Sequence, residues 1–197
     1  VNKKVSRVTN YINKISMSKK IPIAIIYDFD GTLSPSNMQE YIFLPLINSK
    51  PKEFWKEVNQ ICKDHQADNI LVYMMLMLKK ADQANIPVRR ADFHEYGKKV
   101  ELFKGVESWF DRINQYGKAA GADVKHYIIS SGNKEIIEGT KIRNVFTEIY
   151  ASAYKYDASG KAEYPAVAIN YTTKTQFLFR INKGIKDIHE NNLINDF

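Results

Sequence analysis

The sequence predicts an α/β fold: a parallel sheet interrupted after its first strand by a long helical insert. Three observations predict it. An apolar run, Ile21 to Tyr27, leads into an acidic, glycine-containing turn, Asp28-Phe29-Asp30-Gly31. Residues 36–104 then carry apolar side chains at helical rather than alternating spacing. Beyond them, short β-like runs alternate with helical ones, the order that parallel strands and their crossovers require.

Taken in order, residues 1–20 read as a polar amphipathic helix, with Val5, Val8, Ile12 and Ile15 near helical spacing. Ile21 to Tyr27 is the first strand. Asn37 to Ile47 is an apolar-rich piece interrupted by Pro45. Pro51 suits the first turn of a helix reaching about His65. Asp68 suits the cap of the next, which carries Leu71, Val72, Met74, Met75 and Leu78 and stops at Asn85-Ile86-Pro87. Further helices are predicted over Arg90 to Glu101, with Phe93, Tyr96 and Val100 on one face, and over Gly105 to Ala120. Val124 to Ile129 is the second strand, Asn133 to Thr140 a helix, and Ile149 to Tyr154 the third strand. Asp157-Ala158-Ser159-Gly160 is a turn from which Tyr164 to Tyr171 pairs back, and Thr173 to Gly184 is a final helix.

The 197 residues suffice for one domain carrying a large insertion, and 44% hydrophobic with 26% charged residues is ordinary globular composition. The net charge of +7 favours anionic partners. Its lysines are scattered in pairs such as Lys19-Lys20 and Lys98-Lys99, without a basic stripe, so nucleic acid is not expected. Ile70 to Leu78, the longest apolar run, is far short of the roughly 20 residues a membrane span needs. The N-terminus shows no secretory signal, and a cytoplasmic protein is expected. Cys62 is the only cysteine, which excludes an internal disulfide; its apolar neighbours predict a structural thiol. The four histidines show no metal-ligand spacing.

Asp28 and Asp30 carry the chemistry. Residues i and i+2 of a strand share a face, so the pair converges if the loop keeps that geometry one step further. Gly31 allows a sharp turn. Two adjacent carboxylates divide labour, because like charges raise the pKa of one member. They also form the hard oxygen site that Mg2+ prefers. Asp-x-Asp-Gly is ordinary turn chemistry as well; the preceding apolar strand and the following Thr32-Leu33 set this copy apart.

With Asp28, Asp30 and Thr32 after Ile23-Ala24-Ile25-Ile26-Tyr27, the chain resembles the haloacid dehalogenase superfamily, whose first motif is a hydrophobic strand ending in Asp-x-Asp-x-Thr/Val. The resemblance implies a Rossmann-like core over 1–35 and 105–197 and a helical cap over 36–104. It implies that Asp28 is the nucleophile, phosphorylated during turnover, and that Asp30 is the general acid/base, its backbone carbonyl touching Mg2+ beside Asp28. An acid at the second position is similar to the phosphatase branch, since a phosphate ester needs a proton on its leaving group and a halide does not.

Tyr127 to Asn133 resembles the second motif. Ser130 stands at the expected hydroxyl, and Ser131-Gly132 form a turn into the next helix, a setting suited to a phosphate oxygen though also to simple capping. Lys174 resembles the third motif. A lysine at a helix N-terminus opposes the macrodipole, which favours a functional reason for it. Phosphate-binding residues implied by the resemblance are therefore Thr32, Ser130, Ser131, Gly132 and Lys174, with Asp28, Asp30 and Lys174 catalytic.

The fourth motif, an apolar strand followed by Gly-Asp and a further Asp, is missing. The acids after Lys174 are Asp187, Glu190 and Asp196, and none follows such a strand. We read this as truncation of a longer hydrolase, since the first strand would otherwise keep a free edge. The expected function is Mg2+-dependent hydrolysis of a small phosphorylated metabolite. The alternative is a catalytically impaired phosphate-binding or protein-interaction module. No acidic residue follows the first motif until Glu40, so phosphoserine is not assigned as the substrate.

Overall fold

The computed structural model describes residues 20–195; the helix expected over residues 1–20 lies, but for Lys20, outside them. Strand β1 (Ile21–Tyr27) comes first. A short 3-10 helix (Met38–Glu40) and α1 (Phe43–Leu46) follow, with Pro45 inside α1. The insert continues as α2 (Pro51–His65), α3 (Asn69–Gln83) and α4 (Arg90–Gly97). Then come α5 (Val106–Ala119), β2 (Ala122–Asn133), α6 (Lys134–Glu138), β3 (Phe146–Tyr156), β4 (Ala162–Val167), α7 (Lys174–Lys183) and α8 (Asn192–Asn195).

The strands form one sheet in the order β1-β2-β3-β4, parallel except for the β3–β4 hairpin. Local chemistry explains the boundaries. Pro51 occupies the first turn of α2, where its missing N–H is no loss, and Gln66 closes the helix in the left-handed region. The Asp68 carboxylate accepts from the N–H groups of Ile70 and Leu71 at the start of α3. Asp157 Oδ1 gathers the N–H groups of Ser159 and Lys161, which folds the β3–β4 turn around Gly160 at φ +81°.

The sheet separates two apolar layers. Ile128 and Ile149 face the larger one, joined by Phe29, Phe54, Phe93, Phe110 and Met74, so the insert and the sheet share one continuous cluster of buried side chains. Ile129 and Tyr150 face the smaller layer under Phe177 of α7. A polar chain crosses the larger layer: Trp109 donates to the Tyr27 hydroxyl at 2.8 Å, Tyr27 meets His126 Nδ1 at 3.0 Å, and His126 Nε2 meets Asn114 at 2.9 Å. Burial holds the His126 pKa below its ordinary value, which favours the neutral ring this chain needs. On the other side the fully buried Arg180 guanidinium donates to the carbonyls of Asp187 and Ile188 and to Asn191.

Some boundaries depart from the sequence reading. Ser131 and Gly132 are not a turn but part of β2, in an irregular stretch where pairing with β3 shifts between Ser130 and Asn133. Helix α4 ends at Gly97 rather than Glu101, and the backbone of Gly139 packs against Gly97 so closely that a Cβ there would lie 2.7 Å from it. β1 has no described partner on its outer side, and Ile21 and Ile23 are 65% and 43% exposed.

Candidate active site

The strand geometry ends at Tyr27, so Asp28 and Asp30 do not simply share a strand face. The chain folds over Phe29, which is fully buried and whose carbonyl accepts from the N–H groups of Thr32, Leu33 and Ser34. Gly31, at φ +73°, donates to the Ser34 carbonyl. These bonds leave the Asp30 carbonyl out of the turn's hydrogen bonding. Thr32 is exposed, and its described bond is this backbone one; the structure brings no side-chain contact from it to the carboxylates.

The two carboxylates enter different surroundings. Asp28 stays partly in water, its side chain 44% exposed, with Oδ1 accepting from the Phe29 N–H at 2.8 Å. Its Oδ2 lies 2.6 Å from the ammonium of Lys174 on α7. Asp30 points the other way, accepting the Met38 N–H at 3.0 Å on Oδ1. Burial lifts its pKa to about 7, opposed by the Met38 bond and reinforced by the charges of Asp28 and Glu40. One acid is thus partly solvated and paired with a lysine, while burial lets its neighbour hold a proton near neutral pH.

Ser130 is buried, and its hydroxyl accepts the Gly132 N–H at 3.0 Å. Ser131 gives its carbonyl to the Tyr73 hydroxyl at 2.7 Å, which ties α3 to the end of β2. Gly132 is where Asp30 comes to rest: an added Cβ would lie 3.1 Å from Asp30 Oδ2 and 2.9 Å from Met38 Sδ. Lys174 opens α7, as the sequence reading placed it. Its helix is tied to the insert by Asn170, which donates to Asp68 Oδ2 at 2.7 Å and accepts the Thr173 N–H at 3.0 Å. Asn170, Tyr73 and Met38 were not legible as site residues. Asn170 beside Thr172-Thr173 carried a turn signal, but its partner Asp68 is remote in sequence.

Two openings meet at the pair. A 160 Å3 pocket between α2, α3 and the end of β2 reaches Asp30, Ser131 and Gly132. A 240 Å3 cleft on the α7 face of the sheet reaches Asp28 and Lys174 beside Ile26, Ile129 and Leu178. For a hard cation the chain offers the Asp28 carboxylate and the unengaged Asp30 carbonyl, oxygen donors that fit a Mg2+ ion keeping several waters. Among the described residues, no group of three or more His, Cys, Asp or Glu side chains is placed to hold a metal.

A model of the haloacid dehalogenase-like hydrolases matches residues 25–170. An uncharacterized protein of Borreliella burgdorferi is 27% identical over 187 residues, covering 82% of this chain and 65% of that protein. The chain therefore spans just under two thirds of the length of that curated relative. A haloacid dehalogenase family hydrolase from Salmonella enterica serovar Typhi has a similar fold, with a TM-score of 0.60 at 13% identity, over 90% of this chain and 61% of the other. A phosphoserine phosphatase solved as a phospho-aspartyl intermediate analogue gives 0.55 at 13% identity, over 85% and 75%. The matched stretch starts within β1 and runs past β4 to Asn170, so it holds the acid pair, the insert and the Ser130 strand together: this chain belongs to the haloacid dehalogenase-like hydrolase family.

Proposed function

We propose that the protein is a phosphomonoester hydrolase working through an aspartyl-phosphate on Asp28. One observation carries the reading: two acids two residues apart are held in opposite electrostatic settings. Asp28 is solvated and ion-paired with Lys174, while burial lifts Asp30 to about 7. Asp28 Oδ attacks phosphorus, the bond to the ester oxygen breaks, and Asp30 delivers its proton to that oxygen. Lys174 balances the negative charge shared by Asp28 and the phosphoryl oxygens, and the buried Ser130 hydroxyl, which accepts the Gly132 N–H and keeps its own proton, would donate to one of them. Asp30, now ionised, takes a proton from water as that water attacks the aspartyl-phosphate and frees Asp28. Asp28 and the Asp30 carbonyl would hold Mg2+, which when bound supplies further neutralisation of phosphoryl charge.

Residues 36–104 act in this proposal as a cap: Met38, Trp55 and Tyr73 close over Asp30 and exclude water from the proton transfer. The substrate is a small phosphorylated metabolite, in a cytoplasmic setting. Among the described residues no helix is long and apolar enough to cross a membrane. The test is hydrolysis of p-nitrophenyl phosphate with and without Mg2+, and capture of labelled phosphate on the protein after rapid acid quench. Asp28→Asn is expected to abolish both signals, by at least about a thousandfold in turnover, roughly 4 kcal/mol of barrier. The short acid complement around Asp28 favours a second reading, a phosphate-binding module; phosphate binding without turnover or labelling would support it instead.

A further inference from the structure

The pocket beside Asp30 also speaks to the leaving group, and the argument rests on the phosphatase reading above. If Asp30 protonates the ester oxygen, the departing group occupies the space that Asp30 faces. That space is the 160 Å3 pocket floored by Asp30 and Gly132. A cavity near 150 Å3 accommodates benzene, so about six non-hydrogen atoms fit.

Its wall has a definite chemistry. No Lys, Arg or His lines it; Asn37, Gln39, Asn59 and Asn69 do, with Tyr73 and Trp55. Behind the wall lies Glu40, its Oε1 accepting from Asn37 Nδ2 at 2.6 Å and Trp55 Nε1 at 2.7 Å. An anionic substituent here would lose water and gain no cation, a cost of several kcal/mol. A cationic one would find no carboxylate on the wall besides Asp30, because Glu40 does not line it. Amides, by contrast, both donate and accept, as hydroxyl groups do. Asn59 on α2 and Asn69 on α3 are exposed at the mouth, and neither side chain makes a hydrogen bond among the described residues. Deeper in, the Tyr73 hydroxyl spends its proton on the Ser131 carbonyl, which leaves its oxygen able to accept. Gln39 and Asn133 share one amide–amide bond at 2.9 Å, and each keeps a second buried amide atom without a partner.

We propose that this pocket selects phosphate monoesters whose leaving group is small, uncharged and hydroxyl-bearing, a short polyol or small sugar, and rejects those carrying a second anionic group. Asn59 and Asn69 are its specificity-determining residues.

The experiment measures kcat/KM of the full chain with Mg2+ for glycerol 3-phosphate, 3-phosphoglycerate and phosphocholine, with p-nitrophenyl phosphate as the reference ester. Glycerol 3-phosphate is expected to lead 3-phosphoglycerate, which adds a carboxylate at similar size, by about 100-fold, and to lead phosphocholine by about tenfold. Asn59→Lys places an ammonium at the mouth from an exposed helical position. It is expected to narrow the first ratio by about tenfold, because the carboxylate then has a partner. A wild-type preference for 3-phosphoglycerate or phosphocholine, or an unchanged ratio in N59K, overturns the assignment while hydrolysis of p-nitrophenyl phosphate keeps the phosphatase reading. Absence of all hydrolysis, the reference ester included, overturns both.

Discussion

Asp28 and Asp30 are the same residue type on one short turn, yet they belong to two different regions of the molecule. Around Asp30 everything is packed: Met38 is 1% exposed, and Gly132 leaves no room for a methyl group. Around Asp28 the molecule is open, with no strand paired to the outer edge of β1 among the described residues and Leu178 46% exposed beside the Lys174 ion pair. The packed side sets a proton affinity by excluding water; the open side sets a charge by offering a cation. Changes on the packed side should therefore alter activity and stability together, and changes on the open side should alter activity almost alone.

The largest effect expected of that contrast is at Asp30. Asp30→Asn keeps an acceptor for the Met38 N–H but transfers no proton. Turnover of an alkyl phosphate should fall by roughly 10²–10⁴, and that of p-nitrophenyl phosphate, whose leaving group needs little protonation, by much less. In the wild type, kcat/KM for an alkyl phosphate should decline as pH rises through about 7, where the acid form of Asp30 is lost. Stability should move in a related way. A carboxyl with a folded-state pKa of about 7 binds its proton more tightly folded than unfolded. Stability therefore falls as pH rises from the ordinary carboxylate range, about 3.9, to about 7, and levels off above. D30N should reduce that slope, leaving the share of the buried Glu135, and raise the melting temperature at pH 8. An unchanged slope in D30N would mean that Asp30 is not desolvated.

Lys174 tests the open side. Lys174→Gln should lower kcat by about 10²–10³, comparable to removing one donor from a charge-stabilising site. Its ion pair with Asp28 is partly solvated, so denaturant titration should register a loss under about 1 kcal/mol. Gly132→Ala tests the packed side. Its Cβ would press on Met38 and on Asp30 Oδ2, so about 1–3 kcal/mol of stability should be lost, along with any carboxylate geometry that depends on Met38. Equal stability losses in the two variants would erase the distinction between the regions.

How far these regions were legible follows from the range of the interactions that build them. The strand before Asp28, the first-turn Pro51 and the Asp68 cap are local, and the sequence patterns place them well. Lys174 was legible because a cation at a helix N-terminus is out of place unless something offsets it, and Asp28 does. Gly132 was legible as a glycine but misread as a turn; only the pairing of Asn133 with Ser152 shows that β2 continues past it. The burial of Asp30 was not legible at all. It depends on Met38, on Tyr73 reaching Ser131 and on Gln39 reaching Asn133, contacts between segments up to 94 positions apart. Nor could composition show that the pocket beside it holds amides and no cation.

The smallest expected effect is on the free edge of β1. Ile23 is 43% exposed, and its strand has no described neighbour on that side. As the edge stands, Ile23→Lys removes little buried area, so the stability change should lie within about 0.5 kcal/mol. A charge on an open apolar edge should also reduce self-association, read by light scattering at high concentration. The outcome carries information out of proportion to its size. A loss of about 2 kcal/mol or more would mean that Ile23 is buried in the working protein and that something lies along β1. Ile26 of the same strand lines the cleft at Asp28 and Lys174, with Ile129 of β2. Whatever lay there would lower the dielectric around the ion pair, and Asp28 would no longer be the solvated member of the two acids. The contrast between the two carboxylates would then rest on the Lys174 pair and on the burial of Asp30 alone, and a single lysine at position 23 tells which arrangement holds.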